Sequence, residues 1–339
     1  MNATPMTTAE PSAKGRVSPR TKEPWKERER QPLRVAARLL RRLVRAIAFR
    51  ARYWPPNAFN AVVNRAKRRL ILPVRDALLG QKPLAVRAGG QTFLLSPEGY
   101  VAMDIWARSC FERHELEFVL GALQPGMTFI DVGANVGLFS IPAAKKVEHG
   151  RVFAFEPSAW TMELLSKNAS LNQLRNLEIV HSAVGDYTGE ATLQVNASGK
   201  DGLNTIGKPV HDDSEIVTTE KVPITTLDDF LRGHSILHVD VMKVDVEGAE
   251  LLVFRGAKDL LAKHDAPLIL YESGVLTKGF GYHPVETMWL LEQYGYAFFH
   301  IDSRDGRITR LSGMQPCDTM LIAAKPTHVF YPLLQGLAR

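Results

Sequence analysis

The chain has 339 residues and an ordinary globular composition, with 45% hydrophobic and 23% charged residues, which excludes collagen-like and wholly disordered proteins. Its two cysteines, Cys110 and Cys317, are too few for a disulfide framework or a four-thiolate metal site. The formal net charge of +6 is unevenly divided, because residues 1–75 hold 19 Lys and Arg against 4 Asp and Glu, whereas the remainder holds 23 against 32. The positive net charge therefore describes the N-terminal part and not the main domain.

The N-terminal segment, residues 1–32, is rich in Pro, Thr, Ser, Lys and Glu and has almost no large apolar side chains. Such a segment cannot bury enough surface to offset chain entropy, so we expect a disordered leader. It has no apolar stretch typical of a secretory signal, and the sequence has no run of about 20 apolar residues that would span a bilayer. We therefore expect a cytoplasmic protein.

A basic amphipathic helix is predicted over residues 33–56. Leu39 and Leu43 recur at helical spacing, and arginines such as Arg45 mark the opposite side. Two interpretations remain open: residues 33–54 bind an anionic membrane surface, which gives a peripheral location, or the helix packs on its own domain or on a partner. A nucleic-acid partner is not expected, because no aromatic residues are interleaved with the basic ones and no recognition module follows.

The rest of the chain divides into an N-terminal extension (57–110), a main domain (111–326) and a C-terminal tail (327–339). In the main domain, apolar strands alternate with helical segments. The predicted strands are 128–132, 151–155, 177–180, 239–244, 267–271 and 297–301, and the predicted helices are 112–123, 138–147, 159–171, 249–263 and 285–294. This alternation predicts an α/β fold with a doubly wound, mostly parallel sheet.

Other predicted elements depart from the alternation. Segments 191–195 and 221–224 are predicted to form an inserted hairpin. The last strand, 319–323, follows the previous one without a helix, so we expect it to be an antiparallel strand at the edge of the sheet. In the extension, the pattern predicts a helical piece near 60–72 and a strand at 92–95.

In a doubly wound sheet, ligands bind at the carboxyl ends of the strands, where the strand order reverses. At the end of the first predicted strand of the main domain, Asp131 precedes a turn with Gly133 and Gly137, which let the chain turn tightly beside a ligand. A carboxylate at this position repels a pyrophosphate and suits a cationic amino group. It therefore favours an amino-acid-bearing nucleoside over a dinucleotide.

Acidic residues also follow the later strands. Glu156 stands near the position of a ribose-binding carboxylate, and Asp186 would accept a hydrogen bond from an adenine amino group; the alternatives are an exposed strand-end residue and an ordinary turn. Asp245 and Glu247 follow the fourth strand, and Glu272 follows the fifth. Because coincidence is a poor explanation for all five strands, we predict one ligand site lined by these acids.

Six segments carry a resemblance to a known family. They are FIDVGANVGLFS (129–140), VFAFEPSAWTMELLSKN (152–168), SAVGD (182–186), TTLDDFL (225–231), MKVDVEGAELLVFRGA (242–257) and LILYE (268–272). On these motifs, the chain from about residue 112 to 324 resembles the FkbM-type S-adenosylmethionine-dependent methyltransferases, which have the class I Rossmann-like fold. The segment at 242–257 is the most specific, and residues 1 to about 90 have no counterpart.

The resemblance implies a role for each candidate residue. The cofactor would be held by Asp131, Gly133, Asn135 and Gly137 at its methionine portion, by Glu156 at its ribose and by Asp186 at its adenine. Asp245, Glu247 and Glu272 would face the methyl group and the substrate. The implied reaction is O-methylation of a hydroxyl on a small-molecule or glycan acceptor, such as a sugar, glycolipid or secondary metabolite. We take Asp245 as the general base because it ends the central strand.

Three alternatives remain open. Asp245 and Glu272 would share a divalent cation such as Mg²⁺ in a metal-dependent form of the same reaction, but no third ligand is evident and the metal-free form is preferred. Gly133, Gly137 and Glu156 loosely match a dinucleotide fingerprint, which would indicate an NAD-dependent oxidoreductase. In the third interpretation the basic leader carries the function, and the main domain is a non-catalytic scaffold at a membrane surface.

Overall fold

The computed structural model describes residues 83–96, 105, 111–196, 204–208, 216–315 and 318–338. Three predicted features lie outside these ranges: the leader at 1–32, the amphipathic helix at 33–56 and the helical piece near 60–72. Within the described ranges, no helix combines the length and the apolar character needed to cross a bilayer.

Strands and helices alternate through the described part of the chain. The strands are β1 (Leu84–Ala88), β2 (Gln91–Leu95), β3 (Thr128–Val132), β4 (Arg151–Phe155), β5 (Leu177–Val180), β6 (Ala183–Val184), β7 (Gly189–Asn196), β8 (Ile216–Thr225), β9 (Val241–Val244), β10 (Leu268–Ser273), β11 (Ala297–Ile301), β12 (Ile308–Arg310) and β13 (Thr319–Ala324). The helices are α1 (Arg113–Ala122), α2 (Ser140–Val147), α3 (Ala159–Leu171), α4 (Leu227–Gly233), α5 (Glu250–Arg255), α6 (Lys258–Ala262), α7 (Pro284–Gln293) and α8 (Tyr331–Leu337), with a 3₁₀ helix at Val275–Phe280. The predicted α/β alternation is confirmed.

Eight strands form the central sheet in the order β12-β11-β13-β10-β9-β3-β4-β5. The five strands from β10 to β5 are mutually parallel, as expected for a doubly wound sheet. The chain moves outward from β3 to β5 on one side and from β9 to β10 on the other, so the strand order reverses between β3 and β9. A ligand crevice is expected at that point.

The predicted antiparallel edge strand has the expected direction but a different place in the sheet. β13 is antiparallel to both β10 and β11 and lies between them, so the prediction that it lies at the edge of the sheet was wrong. Its residues Met320 to Ala324 are all buried, as expected for a strand that is covered on both faces. The short strand β12 forms the edge instead, and only its first residue, Ile308, is buried.

The single helix predicted over 249–263 was also wrong, because the structure has two helices, α5 and α6, that are separated near Gly256. A Cβ atom on Gly256 would lie 2.0 Å from the carbonyl oxygen of Gly185, so the chain passes tightly against the turn after β6. The carboxylate of Asp228 accepts hydrogen bonds from the backbone amides of Asp259 and Leu260 in the first turn of α6, at 2.8 and 3.0 Å. This carboxylate starts a new helix at that point.

Helices cover both faces of the central sheet. On one face, apolar side chains of α4, α5, α6 and α7 pack with Ile130 and Met242. On the other face, side chains of α1, α2 and α8 pack with Phe129 and Val241. Because side chains alternate along a strand, Asp131 and the residue after Met242 lie on the α2 side of the sheet.

Two smaller sheets flank the central one. The predicted hairpin is confirmed, since β7 pairs antiparallel with β8 and Ala191 lies opposite Val222, and β6 joins them as a third strand. The β1–β2 hairpin contains the strand predicted at 92–95 and packs on α3. The Asn168 side chain bonds the backbone of Leu94 and donates to the carbonyl of Val136, which connects this hairpin to the turn after β3.

Candidate active site

The turn after β3 packs directly on the end of β9. Gly133 and Gly137 have φ angles of 79° and 91°, which favour glycine. A Cβ atom on Gly133 would lie 1.8 Å from the carbonyl oxygen of Asp245, so a larger residue cannot occupy this position without displacing the backbone. The two strand ends at which the strand order reverses are therefore in close contact.

Glu156 connects this turn to the one after β4. It is buried, and its two carboxylate oxygens accept hydrogen bonds from the backbone amides of Asn135 and Ser158, each at 3.0 Å. Asn135 has a positive φ of 49°, and its Oδ1 atom is buried without a hydrogen-bond partner. The structure thus brings Glu156 and Asn135 together, and their contacts to a cofactor stay predictions.

Asp131 lies beneath the glycine turn and is fully buried. Its Oδ2 atom accepts a hydrogen bond of 2.5 Å from the hydroxyl of Ser140, whereas its Oδ1 atom has no hydrogen-bond partner. Burial raises the pKa of Asp131, and the nearby ammonium of Lys243 opposes that rise. The predicted contact of Asp131 with a cofactor amino group is not tested by these contacts and stays a prediction.

Lys243 was not identified as a candidate from the sequence, although it lies at the centre of the site. It is only 3% exposed, and its Nζ atom lies 3.0 Å from Oδ2 of Asp245 and 3.8 Å from Oδ1 of Asp131. Asp131 and Lys243 are opposite each other on the neighbouring parallel strands β3 and β9. The available signal was a lysine inside the apolar strand Val241–Val244, where a charge is costly unless it is paired.

The acids after β9 and in β10 lie close enough for their charges to influence one another. Burial raises the pKa of Glu247 and of Glu272 well above the usual value, and the charge of Asp245 contributes to both shifts. Carboxylates that share a site disfavour one another's ionisation, which explains these mutual effects. Within the described part of the chain, no group of three or more acidic, histidine or cysteine side chains is arranged to hold a metal ion, so the magnesium alternative gains no third ligand.

Glu112 is a second residue that the sequence pattern does not single out, because it stands at the start of the predicted helix 112–123. It has a positive φ of 42°, and its Oε2 atom is buried without a hydrogen-bond partner. Burial, followed by the charge of Asp245, raises the pKa of Glu112 to about 8. Glu112 therefore adds another carboxyl group to the cluster around Lys243.

The turn after β9 is shaped by its own acidic residue. Glu250 is buried, and its Oε1 atom accepts hydrogen bonds from the amides of Val246 and Gly248 at 3.1 and 3.2 Å. Burial raises the pKa of Glu250 to about 7. Glu247 has a φ of 55°, so this turn, like Asn135 and Glu112, keeps a non-glycine residue in a sparsely populated conformation.

Asp186 is not brought together with the other candidates. It is exposed in the turn between β6 and β7, which belong to the flanking three-stranded sheet. Among the described residues, its carboxylate shares no recorded ion pair or hydrogen bond with the acids around Lys243. Its predicted contact with an adenine ring stays a prediction.

A family model described as "Methyltransferase FkbM domain" matches residues 131–298. Methyltransferase sdnD of Sordaria araneosa is 28% identical over 187 residues, which cover 47% of this chain and 69% of that protein. The 31-O-demethyl-FK506 methyltransferase FkbM of Streptomyces tacrolimicus is 26% identical over 219 residues, covering 54% of this chain and 81% of that protein.

Solved structures with a detectable likeness include M. jannaschii TYW2 in complex with AdoMet, with 16% identity and a TM-score of 0.35 over 72% of this chain and 85% of that one. The fold is established by the strand order of the chain itself. The matching family model and the two relatives favour methyl transfer over the dinucleotide and scaffold alternatives. Residues 131–298 of the chain therefore match a methyltransferase FkbM domain, which confirms the predicted resemblance to the FkbM-family methyltransferases.

Proposed function

We propose that the chain transfers a methyl group from S-adenosylmethionine to a hydroxyl of a small-molecule or glycan acceptor, with Asp245 as the general base. The observation that carries the proposal is the position of Asp245, which stands at the end of β9 beside the glycine turn, where the strand order reverses. Its Oδ2 atom is paired with Lys243 at 3.0 Å. It is also one of the less buried members of the acidic cluster, so an acceptor has access to it.

The residues of the turn fit this cofactor. S-adenosylmethionine supplies an electrophilic methyl group on a positively charged sulfur, and its amino-acid portion carries an ammonium group. Oδ1 of Asp131 and Oδ1 of Asn135 are buried acceptors without a hydrogen-bond partner, which suits a ligand rich in N–H donors. The tight contact between Gly133 and Asp245 keeps this turn next to the proposed base.

The protein has two tasks in such a reaction. It must hold the acceptor oxygen in line with the methyl group, and positioning of this kind can supply about 7–11 kcal/mol of the barrier. It must also take a proton from the hydroxyl, for which a carboxylate within hydrogen-bond reach is sufficient. An oxygen acceptor is supported by the name of the Streptomyces relative, which describes a 31-O-demethyl substrate.

The first test is the Asp245→Asn variant. It keeps the size of the side chain but cannot accept the proton, so we expect turnover to fall by about 10²–10⁴-fold while cofactor affinity measured by calorimetry stays near the wild-type value. Asp305→Asn, a change in an exposed loop, is the control and should behave as wild type. Unchanged turnover in Asp245→Asn would remove Asp245 from the mechanism.

The acceptor is identified in a second experiment. The protein is incubated with labelled S-adenosylmethionine and either a glycan, a lipid or a metabolite extract, and labelled products are identified by mass spectrometry. We expect a methyl ether in one of the three. If calorimetry detects binding of NADH and no binding of S-adenosylmethionine, the result would instead support an oxidoreductase.

A further inference from the structure

Lys243 is the buried cation of an acidic site. Its Nζ atom lies 3.0 Å from Asp245, 3.8 Å from Asp131 and 5.0 Å from the ring centroid of Phe139. These contacts come from the residue after β9, from β3 and from the residue that precedes α2, so three segments define the position of one ammonium group. Burial alone would lower the pKa of Lys243, but the surrounding carboxylates outweigh burial and raise it.

We propose that Lys243 is a positioning residue that holds the Asp245 carboxylate in the orientation and charge state needed to accept a proton. The inference rests on the proposed function, in which Asp245 is the general base. Lys243 itself need not touch the acceptor, because its contacts are with Asp245 on the ligand side and with Asp131 beneath the glycine turn.

The charge balance of the cluster supports this role. Asp245 is surrounded by Glu112, Glu247 and Glu272, and each of these three groups is raised in pKa by the charge of Asp245 and lowered by that of Lys243. Within the described residues, Lys243 is the cation recorded in contact with Asp245. Without it, the proton would be shared among repelling carboxylates, and the base would be available only at higher pH.

The test compares Lys243→Met with Lys243→Arg, using the acceptor from the extract experiment. Methionine has a similar length and no charge, so we expect kcat to fall by about 100-fold, as for a misplaced catalytic group, with little change in KM. The acidic limb of the kcat/KM profile should move to higher pH. Arginine restores the charge and should recover part of kcat and return the limb toward its wild-type position.

Lys325→Met is the matched control. Lys325 is also buried, but its ammonium donates to the backbone carbonyl of Lys263 and has no recorded contact with the acidic cluster. This variant should lower the melting temperature and leave the pH profile unchanged. If Lys243→Met does the same, Lys243 is merely structural and the inference is overturned.

A double variant separates this inference from the proposed function. If Lys243 acts through Asp245, Lys243→Met combined with Asp245→Asn should be no slower than Asp245→Asn alone. Additive losses would overturn the inference and leave Asp245 as base, whereas full activity of Asp245→Asn would overturn the proposed function itself. Should Lys243→Met fail to fold, it is combined with Asp131→Asn, so that one buried opposite charge is removed together with the lysine. The pH profile of this double variant is then compared with that of Asp131→Asn alone.

Discussion

At the scale of single residues, the site is a set of carboxyl groups whose ionisation is set by burial and by one another. Glu112 shows this most clearly, because its pKa of about 8 lies far above the usual value of a glutamate. Its buried Oε2 atom has no hydrogen-bond partner that would stabilise the charged form. Near neutral pH, Glu112 is therefore mainly protonated.

This predicts a specific pH dependence of stability. Between about pH 4.5 and 8 the folded protein keeps the proton on Glu112 and the unfolded chain releases it, so the free energy of unfolding falls as the pH rises through this window. In Glu112→Gln, the free energy of unfolding should fall less steeply with pH. It is measured by chemical denaturation at several pH values from 5 to 8. Glu117→Gln, an exposed change on the same helix, should keep the wild-type slope, and an equally steep slope in Glu112→Gln would contradict the prediction.

Single-residue signals also explain what the sequence could and could not predict at the site. Asp131, Asp245 and Glu272 were candidates because each lies at or just after the end of an apolar strand that is visible in the sequence pattern. Lys243 stands inside an apolar strand, which indicates a paired charge, but its partner Asp131 on the neighbouring strand is known only once the strand order is known. Glu112 was missed because packing of distant segments brings it to Asp245.

At the scale of elements, the turn after β3 and the end of β9 form one unit. Gly133 sits against the carbonyl of Asp245 with no room for a side chain. The strands themselves were predictable from their apolar runs, but their order was not, because pairing between distant segments has no local signature. The position of β13 was predicted wrongly for this reason, and the break between α5 and α6 because the contact of Gly256 with Gly185 joins distant segments.

We predict that Gly133→Ala destabilises the fold. The new methyl group would overlap the Asp245 carbonyl, and the positive φ of 79° adds strain, so a loss of about 2–4 kcal/mol in the free energy of unfolding is expected. The control is Gly121→Ala in α1, where a Cβ atom would meet nothing within 4 Å and alanine favours the helix. Urea denaturation measures the free energy of unfolding of both variants and of the wild type. A Gly133→Ala variant as stable as the wild type would contradict the close contact between Gly133 and the Asp245 carbonyl.

At the scale of the whole molecule, the basic N-terminal part and the acidic remainder suggest separate tasks. We propose that residues 33–54, which lie outside the described ranges, bring the methyltransferase domain to an anionic membrane surface. The support for this is the sequence pattern of leucines and arginines. A lipid-linked acceptor would be consistent with such a location.

Vesicle binding tests this part of the proposal. Replacing Arg41, Arg42 and Arg45 with glutamine should weaken cosedimentation with phosphatidylserine vesicles, at about 1 kcal/mol per arginine, and added salt should weaken it further. Binding to phosphatidylcholine vesicles should be weak for the wild type and for the triple glutamine variant. Arg175→Gln, an exposed change in the main domain, is the control, and equal binding of all variants would favour packing of this segment on protein.

The interior position of β13 has a consequence for biosynthesis. Because β13 separates β10 from β11, neither of these neighbours can complete its hydrogen bonding until residues 319–324 have left the ribosome. A nascent chain halted before that segment would present two bare strand edges, which are templates for aggregation. Newly made chains would therefore be prone to aggregation until residues 319–324 have been synthesised and have paired with both neighbours.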